Sequence, residues 1–289
     1  MANLVISGNK RMYKIVDLST NNTFFASPRK TLLFQKGPIY IGDFVTLDND
    51  GTIIDFEPRK NLLIRPKVVN LDLAVVVTST IKPSYSSYLL DKFLTYLDFC
   101  NIPCLIAFSK VDMLNKEKYE YIKSQQEYYK KLGYLTYLTS KNDESSYQEI
   151  KQIISNKRVA FMGQTGAGKS TLINSIDPNF NRAIGEYSES LGRGKHQTKE
   201  VILLPFENGY IGDTPGFSSL DLSMIGLKES DLYKYFPGFN NSFTKCFYKD
   251  CSHTHEKNCQ VKLDVENNII LKESYDNYVK LLKEIREEK

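Results

Sequence analysis

The chain has 289 residues, enough for about two or three domains, and its 41% hydrophobic and 25% charged content excludes global disorder. A net charge of +4, from 38 basic against 34 acidic residues, is too small to establish nucleic-acid binding by itself. The longest apolar runs, such as Leu73 to Val77, fall far short of the roughly 20 residues a helix needs to cross a bilayer, which excludes a helical membrane protein.

Residues 1–66 read as all-β. Short runs of β-formers (Leu4–Ile6, Met12–Val16, Thr23–Phe25, Phe44–Leu47, Thr52–Ile54) are separated by turn residues, and Asp50-Gly51 is a hairpin signal. Five such strands predict a small closed barrel of the OB type. From about residue 68 the pattern changes to strands alternating with helices. Leu73–Val77 is a strand buried on both faces, and Leu89, Leu90, Phe93, Leu94 and Leu97 follow at helical spacing. Strands near 104–108, 135–138 and 158–162 alternate with helices near 115–131 and 146–155, which predicts a mostly parallel sheet covered by helices. After about residue 220, helical segments near 228–236 and 273–287 flank a cluster of cysteine and histidine, the second carrying the apolar stripe Tyr275, Tyr278, Leu282, Ile285. The expected domains are 1–66, 67–222 and 223–289.

Gly163-Gln164-Thr165-Gly166-Ala167-Gly168-Lys169-Ser170 fits the phosphate-loop pattern G-x-x-x-x-G-K-[ST]. It follows a predicted strand and leads into a predicted helix at Thr171, the setting the motif requires. Backbone N–H groups would cradle phosphates, Lys169 would reach the β and γ oxygens, and Ser170 would ligate Mg²⁺. Asp213-Thr214-Pro215-Gly216 closes a later strand. Asp213 is placed to reach Mg²⁺ through water and the Gly216 N–H to meet the γ-phosphate, although Asp-x-Pro-Gly alone is also an ordinary turn signature.

Ser109-Lys110-Val111-Asp112, after another strand, resembles the guanine box Asn-Lys-x-Asp. Asp112 would accept both N1–H and N2–H of guanine, a donor pair adenine lacks, and Lys110 would lie along the base plane. Ser109 stands where Asn is usual. Thr139-Ser140-Lys141 is a candidate companion loop on the base. Asp112 precedes Lys169 by 169 − 112 = 57 residues, the reverse of the ordinary order, so the domain reads as circularly permuted.

Five cysteines make a poor disulfide framework. Cys246-x4-Cys251-x-His253-x5-Cys259 offers three thiolates and an imidazole, a full donor set for structural zinc, with free surface thiols as the alternative and His255 as a spare ligand. Cys100 and Cys104 read as core thiols.

With these motifs together, the chain resembles, over essentially its whole length, the bacterial family of circularly permuted, ribosome small-subunit-dependent GTPase A. Pro58–Pro66 looks like that family's barrel-to-GTPase junction. Leu191–Thr198 looks like its switch I, which places the Mg²⁺-sensing role on Thr198. The resemblance implies an α/β P-loop GTPase domain between an N-terminal OB-type barrel and a C-terminal helical zinc-binding domain. It also implies GTP hydrolysis to GDP stimulated by the small ribosomal subunit, late in its maturation, with Mg²⁺ and one structural Zn²⁺ bound and 16S rRNA contacted by both flanking domains. Basic groups compatible with RNA lie in the barrel (Lys10, Arg11, Lys14, Arg29, Lys30, Lys36), at the junction (Arg59, Lys60, Arg65, Lys67) and around the metal (Lys245, Lys249, Lys257). The expected state is a cytoplasmic monomer that binds neither membrane nor DNA, and no secretory signal is visible at Met1–Leu4. Phe217 occupies the place where many GTPases carry a water-positioning glutamine, and His196 is the candidate to supply that function. Two rival readings are a non-hydrolysing, GTP-dependent RNA-binding protein and a P-loop ATPase or nucleotide kinase.

Overall fold

The computed structural model describes residues 3–8, 11–180, 182, 201–214, 220, 222 and 225–287. The chain divides into two compact units. The first comprises Met1–Val75, Tyr147–Met162 and Lys169–Pro215, and the second Val76–Ser146, Gly163–Gly168 and Gly216–Lys289.

In the first unit, β1 (Asn3–Gly8), β2 (Tyr13–Asp17), β3 (Thr23–Ala26), β4 (Phe44–Leu47) and β5 (Ile53–Phe56) form a sheet of order β3-β2-β1-β4-β5. Every neighbouring pair is antiparallel. The segment after β3 then folds onto β5: Arg29 N–H donates to the Ile53 carbonyl at 2.9 Å, and Ile53 N–H to the Ser27 carbonyl at 3.0 Å. That single bridge brings the segment after β3 against β5 at the far end of the strand order, in keeping with the OB-type expectation. Alternate residues point inward, so Val5, Tyr13, Ile15, Val45 and Ile53 make one core with Ala26, Leu32 and Ile39. Helix α1 (Lys30–Lys36), which the β-reading of this region did not contain, supplies Leu32 to that core and ends at Gly37, where φ is +85°. Seven residues with one buried side chain carry too little periodicity to be read as a helix.

The junction to the next region is held by charge. Asp43 is fully buried, and the Arg59 guanidinium binds its two carboxylate oxygens at 2.8 Å each. The same guanidinium donates to the Pro38 carbonyl at 2.7 Å and stacks over Tyr40 and Phe56. A planar fork satisfies a buried carboxylate in a way a lysine does not.

The second sheet has six strands: β8 (Leu73–Ser79), β9 (Cys104–Ser109), β10 (Leu135–Thr139), β11 (Arg158–Met162), β12 (Leu203–Phe206) and β13 (Gly209–Asp213). A short hairpin, β6 (Leu62–Leu63) with β7 (Val68–Val69), precedes it. The six-strand order is β10-β9-β8-β11-β13-β12. β10 pairs parallel with β9, and β11 with β13, whereas β12 is antiparallel to β13 at the edge. β8 lies in the interior of that order, which is why its sequence is almost continuously apolar.

Helices α2 (Ser87–Phe99), α3 (Lys116–Lys131) and α4 (Ser145–Ile154) follow in chain order, then α5 (Lys169–Ile176) after β11. Ser86 and Asn115 cap α2 and α3, each accepting a backbone N–H with its side chain. The C-terminal region carries α6 (Leu232–Tyr235), α7 (Gln260–Glu266) and α8 (Lys272–Glu287).

Within the second unit α8 is fastened to α2 and α3 by a buried polar cluster. Asp91 of α2 is fully buried and accepts hydrogen bonds from Tyr129 Oη (2.8 Å), Asn277 Nδ2 (2.8 Å) and Ser274 Oγ (3.1 Å). Glu273 accepts from Ser87 and Tyr121, and Lys92 pairs with Glu284 at 2.9 Å. Burial pushes Asp91 up to about 7 against the pull of those three donors. Between about pH 4 and pH 7 the folded protein therefore holds a proton that the unfolded chain has lost, so stability falls as pH rises through that window. Asp91→Asn cannot titrate. The decline in unfolding free energy between about pH 4 and pH 8 should shrink in this variant by up to about 4 kcal/mol. Denaturant titrations across that range check this; an unchanged slope in the variant would contradict it.

Candidate nucleotide site and metal centre

The second unit carries the guanine box and the first part of the phosphate loop. β9 runs buried to Ser109, and Lys110 then adopts a left-handed conformation (φ 64°) that turns the chain into a short 3-10 turn, Val111–Met113. Ser109 Oγ donates to the Ala167 carbonyl of the phosphate loop at 2.5 Å. Lys110 Nζ donates to the Gly166 carbonyl at 2.7 Å and to the Lys82 carbonyl. The Ser109 carbonyl accepts from Thr80 Oγ1 at 2.8 Å, which fixes the strand end. The serine thus bonds directly from the guanine box to the phosphate loop although it is shorter than the usual asparagine.

The loop itself is shaped by glycine. Gly163 has φ +145°, and a Cβ there would collide with the Val77 carbonyl. Gly168 has φ +97°, which favours glycine, while a Cβ there would meet Ser109 Oγ only at an ordinary contact distance of 3.4 Å.

Asp112 is exposed, with its carboxylate at the end of the box. Its Oδ2 accepts from Asn142 Nδ2 at 3.2 Å. Asn142 sits one residue beyond Thr139-Ser140-Lys141 in a turn closed by Ser146, whose Oγ accepts the Ser140 N–H at 3.1 Å and donates to the Asp143 carbonyl at 2.6 Å. Sequence reasoning named the companion loop but not Asn142. An asparagine after a Ser-Lys pair carries no spacing signal of its own.

In the first unit, α5 opens on Lys169 and Ser170, and β13 ends at Asp213. Ser170 Oγ stands 3.5 Å from Asp213 Oδ2. Asp213 Oδ1 is buried and has no hydrogen-bond partner among the described residues. Burial lowers the Lys169 pKa against the opposing charge of Asp213. Burial raises that of Asp213, while the Lys169 charge and the Ser170 hydrogen bond pull it down. A hydroxyl beside an unsatisfied carboxylate oxygen is the donor chemistry that Mg²⁺ and its bound water take up. Thr214 is anchored behind them, its Oγ1 donating to the Phe161 carbonyl at 2.7 Å. Gln164, Thr165 and Thr171 take their places along the loop and the first turn of α5. His196, Thr198, Gly216 and Phe217 lie outside the described residues.

The four residues of the metal cluster converge in the second unit. The ligand atoms of Cys246, Cys251, His253 and Cys259 all lie within 4.8 Å of one another. His253 Nδ1 is 3.5 Å from Cys246 Sγ and 3.4 Å from Cys259 Sγ, and those two sulfurs are 3.9 Å apart. Tetrahedral zinc with sulfur at about 2.3 Å has sulfur–sulfur edges of about 3.8 Å, so the spacing fits. The imidazole is walled by Tyr233, Phe239 and Tyr278, and its Nε2 is buried without a hydrogen-bond partner, which leaves Nδ1 as the atom facing the sulfurs. Burial pushes the Cys251 thiol up to about 12 and His253 down to about 4. Three thiolates in such a place require a cation, and a neutral imidazole is the form that ligates one. Tyr275 and Tyr278 of α8 donate to the His253 and Ser252 carbonyls at 2.8 and 2.9 Å and hold the ligand loop. His255 is 83% exposed at its side chain and stands outside the cluster. Cys100 and Cys104 are also outside it, and burial pushes the Cys104 thiol up to about 12.

These features have counterparts in known proteins. The family model described as RsgA GTPase matches residues 56–223. The Small ribosomal subunit biogenesis GTPase RsgA of Malacoplasma penetrans is 41% identical over 278 residues, covering 95% of this chain and 96% of that protein. Its namesake from Bacillus subtilis is 36% identical over 292 residues, covering 99% and 97%. Among solved structures, YloQ, titled a circularly permuted GTPase, superposes with a TM-score of 0.82 at 30% identity, over 100% of this chain and 96% of that one. YjeQ from Thermotoga maritima superposes with a TM-score of 0.83 at 30% identity, over 98% of each. The guanine box ahead of the phosphate loop and the Cys3His cluster behind it are thus parts of one fold, a circularly permuted GTPase, and the chain belongs to the RsgA GTPase family.

Proposed function

We propose that this GTPase hydrolyses GTP to GDP and phosphate in the biogenesis of the small ribosomal subunit, that the subunit stimulates its turnover, and that it contacts 16S rRNA. The observation that carries the guanine reading is the pair of hydrogen bonds from Ser109 and Lys110 to adjacent phosphate-loop carbonyls, which puts Asp112 at a fixed reach from the loop. The ribosomal reading is supported by the names of the relatives, which are small-subunit biogenesis GTPases.

In this reading Asp112 accepts the guanine N1–H and N2–H, and Val111 shapes the turn that presents it. Lys110 lies along the base. Backbone N–H groups from Gly163 to Gly168, with Gln164, Thr165, Ala167 and Gly166 between them, surround the phosphates, and Thr171 continues that contact into α5. Lys169 meets the β and γ oxygens. Ser170 and Thr198 would be the side-chain ligands of Mg²⁺ and Asp213 would reach it through water; when bound, the ion would supply neutralisation of charge developing on the phosphates. Gly216 donates to the γ-phosphate and His196 orients the attacking water. The functional domains are 1–66, 67–222 and 223–289, with zinc as a structural ion in the last. The protein works in the cytoplasm as a monomer, on RNA rather than on DNA or membrane.

Phe217 offers no hydrogen bond to water at the usual catalytic position, so turnover by the isolated protein is slow and rises when docking on small subunits brings His196 to the γ-phosphate. Steady-state phosphate release should rise strongly with purified small subunits but not with large subunits or free RNA. His196→Ala should lower the stimulated rate by about 10²–10⁴-fold with GTP affinity retained. Fast turnover by the protein alone contradicts the stimulation, and a stimulated rate in the variant equal to wild type removes His196 from the chemistry.

The metal reading has its own check. Elemental analysis should find one zinc per chain, lost in Cys251→Ser. The same variant should lose protection of the α8 amides against hydrogen exchange while the α5 amides keep theirs, because α8 holds the ligand loop through Tyr275 and Tyr278. Full zinc content in a Cys251→Ser, Cys259→Ser double variant contradicts the assignment.

A further inference from the structure

The metal-ligand loop carries two large aromatic side chains that its own fold does not use. Phe247 is 73% exposed and Tyr248 is 46% exposed, between the ligands Cys246 and Cys251. Their rings meet edge to face, 5.0 Å apart at 85°. The backbone under them is pinned: Cys246 N–H donates to the Phe243 carbonyl at 3.2 Å, Cys251 N–H to the Tyr248 carbonyl at 3.4 Å, and the Phe243 ring packs on Tyr233 at 5.0 Å. Both rings are therefore held out from a braced turn, and Phe247 keeps ring surface open to solvent.

Single exposed apolar residues need no explanation, but a paired, braced aromatic step flanked by cations does. Lys245 and Lys249 are exposed two residues to either side of Phe247. Thr244 and Asp250 are the next exposed residues along the chain, so this stretch carries two lysines against one aspartate. A protein partner would need a wide apolar patch around the rings, roughly 800 Å² on each side, with the aromatic at its desolvated centre. Here the exposed chain neighbours of the rings are polar or charged, with two lysines among them. A flat π-face between two cations matches one unpaired nucleobase with the phosphates on either side of it.

The geometry points to the Phe247–Tyr248 step as a stacking platform for an unpaired base of single-stranded or looped RNA, with Lys245 and Lys249 on its flanking phosphates. This deepens the RNA contact proposed above and rests on it. A duplex keeps its bases stacked inside and offers the rings nothing, so the platform selects unpaired RNA.

The test uses the full-length, zinc-loaded protein and a mixed-sequence RNA of about 12 nucleotides containing one 2-aminopurine, with a fully paired hairpin as control. Wild type should bind the single strand in preference to the hairpin and quench the 2-aminopurine by stacking. Phe247→Leu keeps an apolar side chain at an exposed position, so zinc content and unstimulated GTP turnover should stay at wild-type values. Its affinity for the single strand should fall by about 5- to 100-fold and the quenching should vanish. Lys249→Gln should weaken binding and reduce its salt dependence while quenching at saturation remains. Wild-type affinity and quenching in Phe247→Leu overturn the platform and leave the wider RNA reading standing. Absence of RNA binding by wild type overturns both. If Phe247→Leu loses binding to intact subunits but not to the oligonucleotide, the rings serve a protein contact and the inference fails.

Discussion

Ser109 and Lys110 each place a side-chain donor on a phosphate-loop carbonyl, at Ala167 and Gly166, and the nucleotide site proposed above depends on that arrangement. A guanine-binding carboxylate is useful only at a fixed distance from the groups that hold the phosphates. Asp112 is on an exposed turn, and a free loop would leave that distance undefined. The two hydrogen bonds transfer the rigidity of β9, whose residues from Leu105 to Ser109 are buried, to the phosphate loop. The left-handed Lys110 then turns the chain so that Asp112 follows three residues after the clamp begins. Burial makes the Ser109 bond consequential, because an Ala167 carbonyl left without its partner would carry the full cost of desolvation.

The permuted chain order gives the same site a different mechanical setting. In sequence, no strand follows β13 among the described residues, and the helices and the metal-ligand loop come after it. The cluster in turn is braced by α8 through two tyrosine hydroxyls on the ligand loop, and α8 is bound to α2 and α3 by the buried Asp91 cluster. α2 precedes β9 and α3 follows the guanine box in sequence. A buried carboxylate with only neutral donors around it is expensive when ionised, and its value lies in specificity: Tyr129, Ser274 and Asn277 have to arrive together to satisfy it. That geometry makes the register of α8 on α2 a single solution rather than one of several apolar ones.

Much of this was legible in residue order. The phosphate loop, the permutation and the metal-ligand spacing are carried by residue types that have few other reasons to recur at those intervals. The barrel strands were legible because alternation and turn residues are local signals. What escaped was whatever depends on tertiary partners. Helix α1 has one buried side chain in seven and no period to detect. Asn142 matters through one hydrogen bond to a residue thirty positions away. Asp91, Ser274 and Asn277 carry no spacing signal of their own, yet all three are buried, with Ser274 and Asn277 donating to Asp91. Ser109 stands where Asn is usual, and only the folded chain shows that the shorter side chain reaches the Ala167 carbonyl of the loop.

The measurement that bears most directly on the central claim is the equilibrium affinity of folded Ser109→Ala for GTP, read by displacement of a fluorescent guanine nucleotide. If the clamp sets the distance between base and phosphate sites, Ser109→Ala should bind GTP about 10-fold more weakly, and Ser109→Asn, with a side-chain amide able to donate to the same carbonyl, should bind close to wild type. GTP affinity in Ser109→Ala equal to that of wild type would contradict the account.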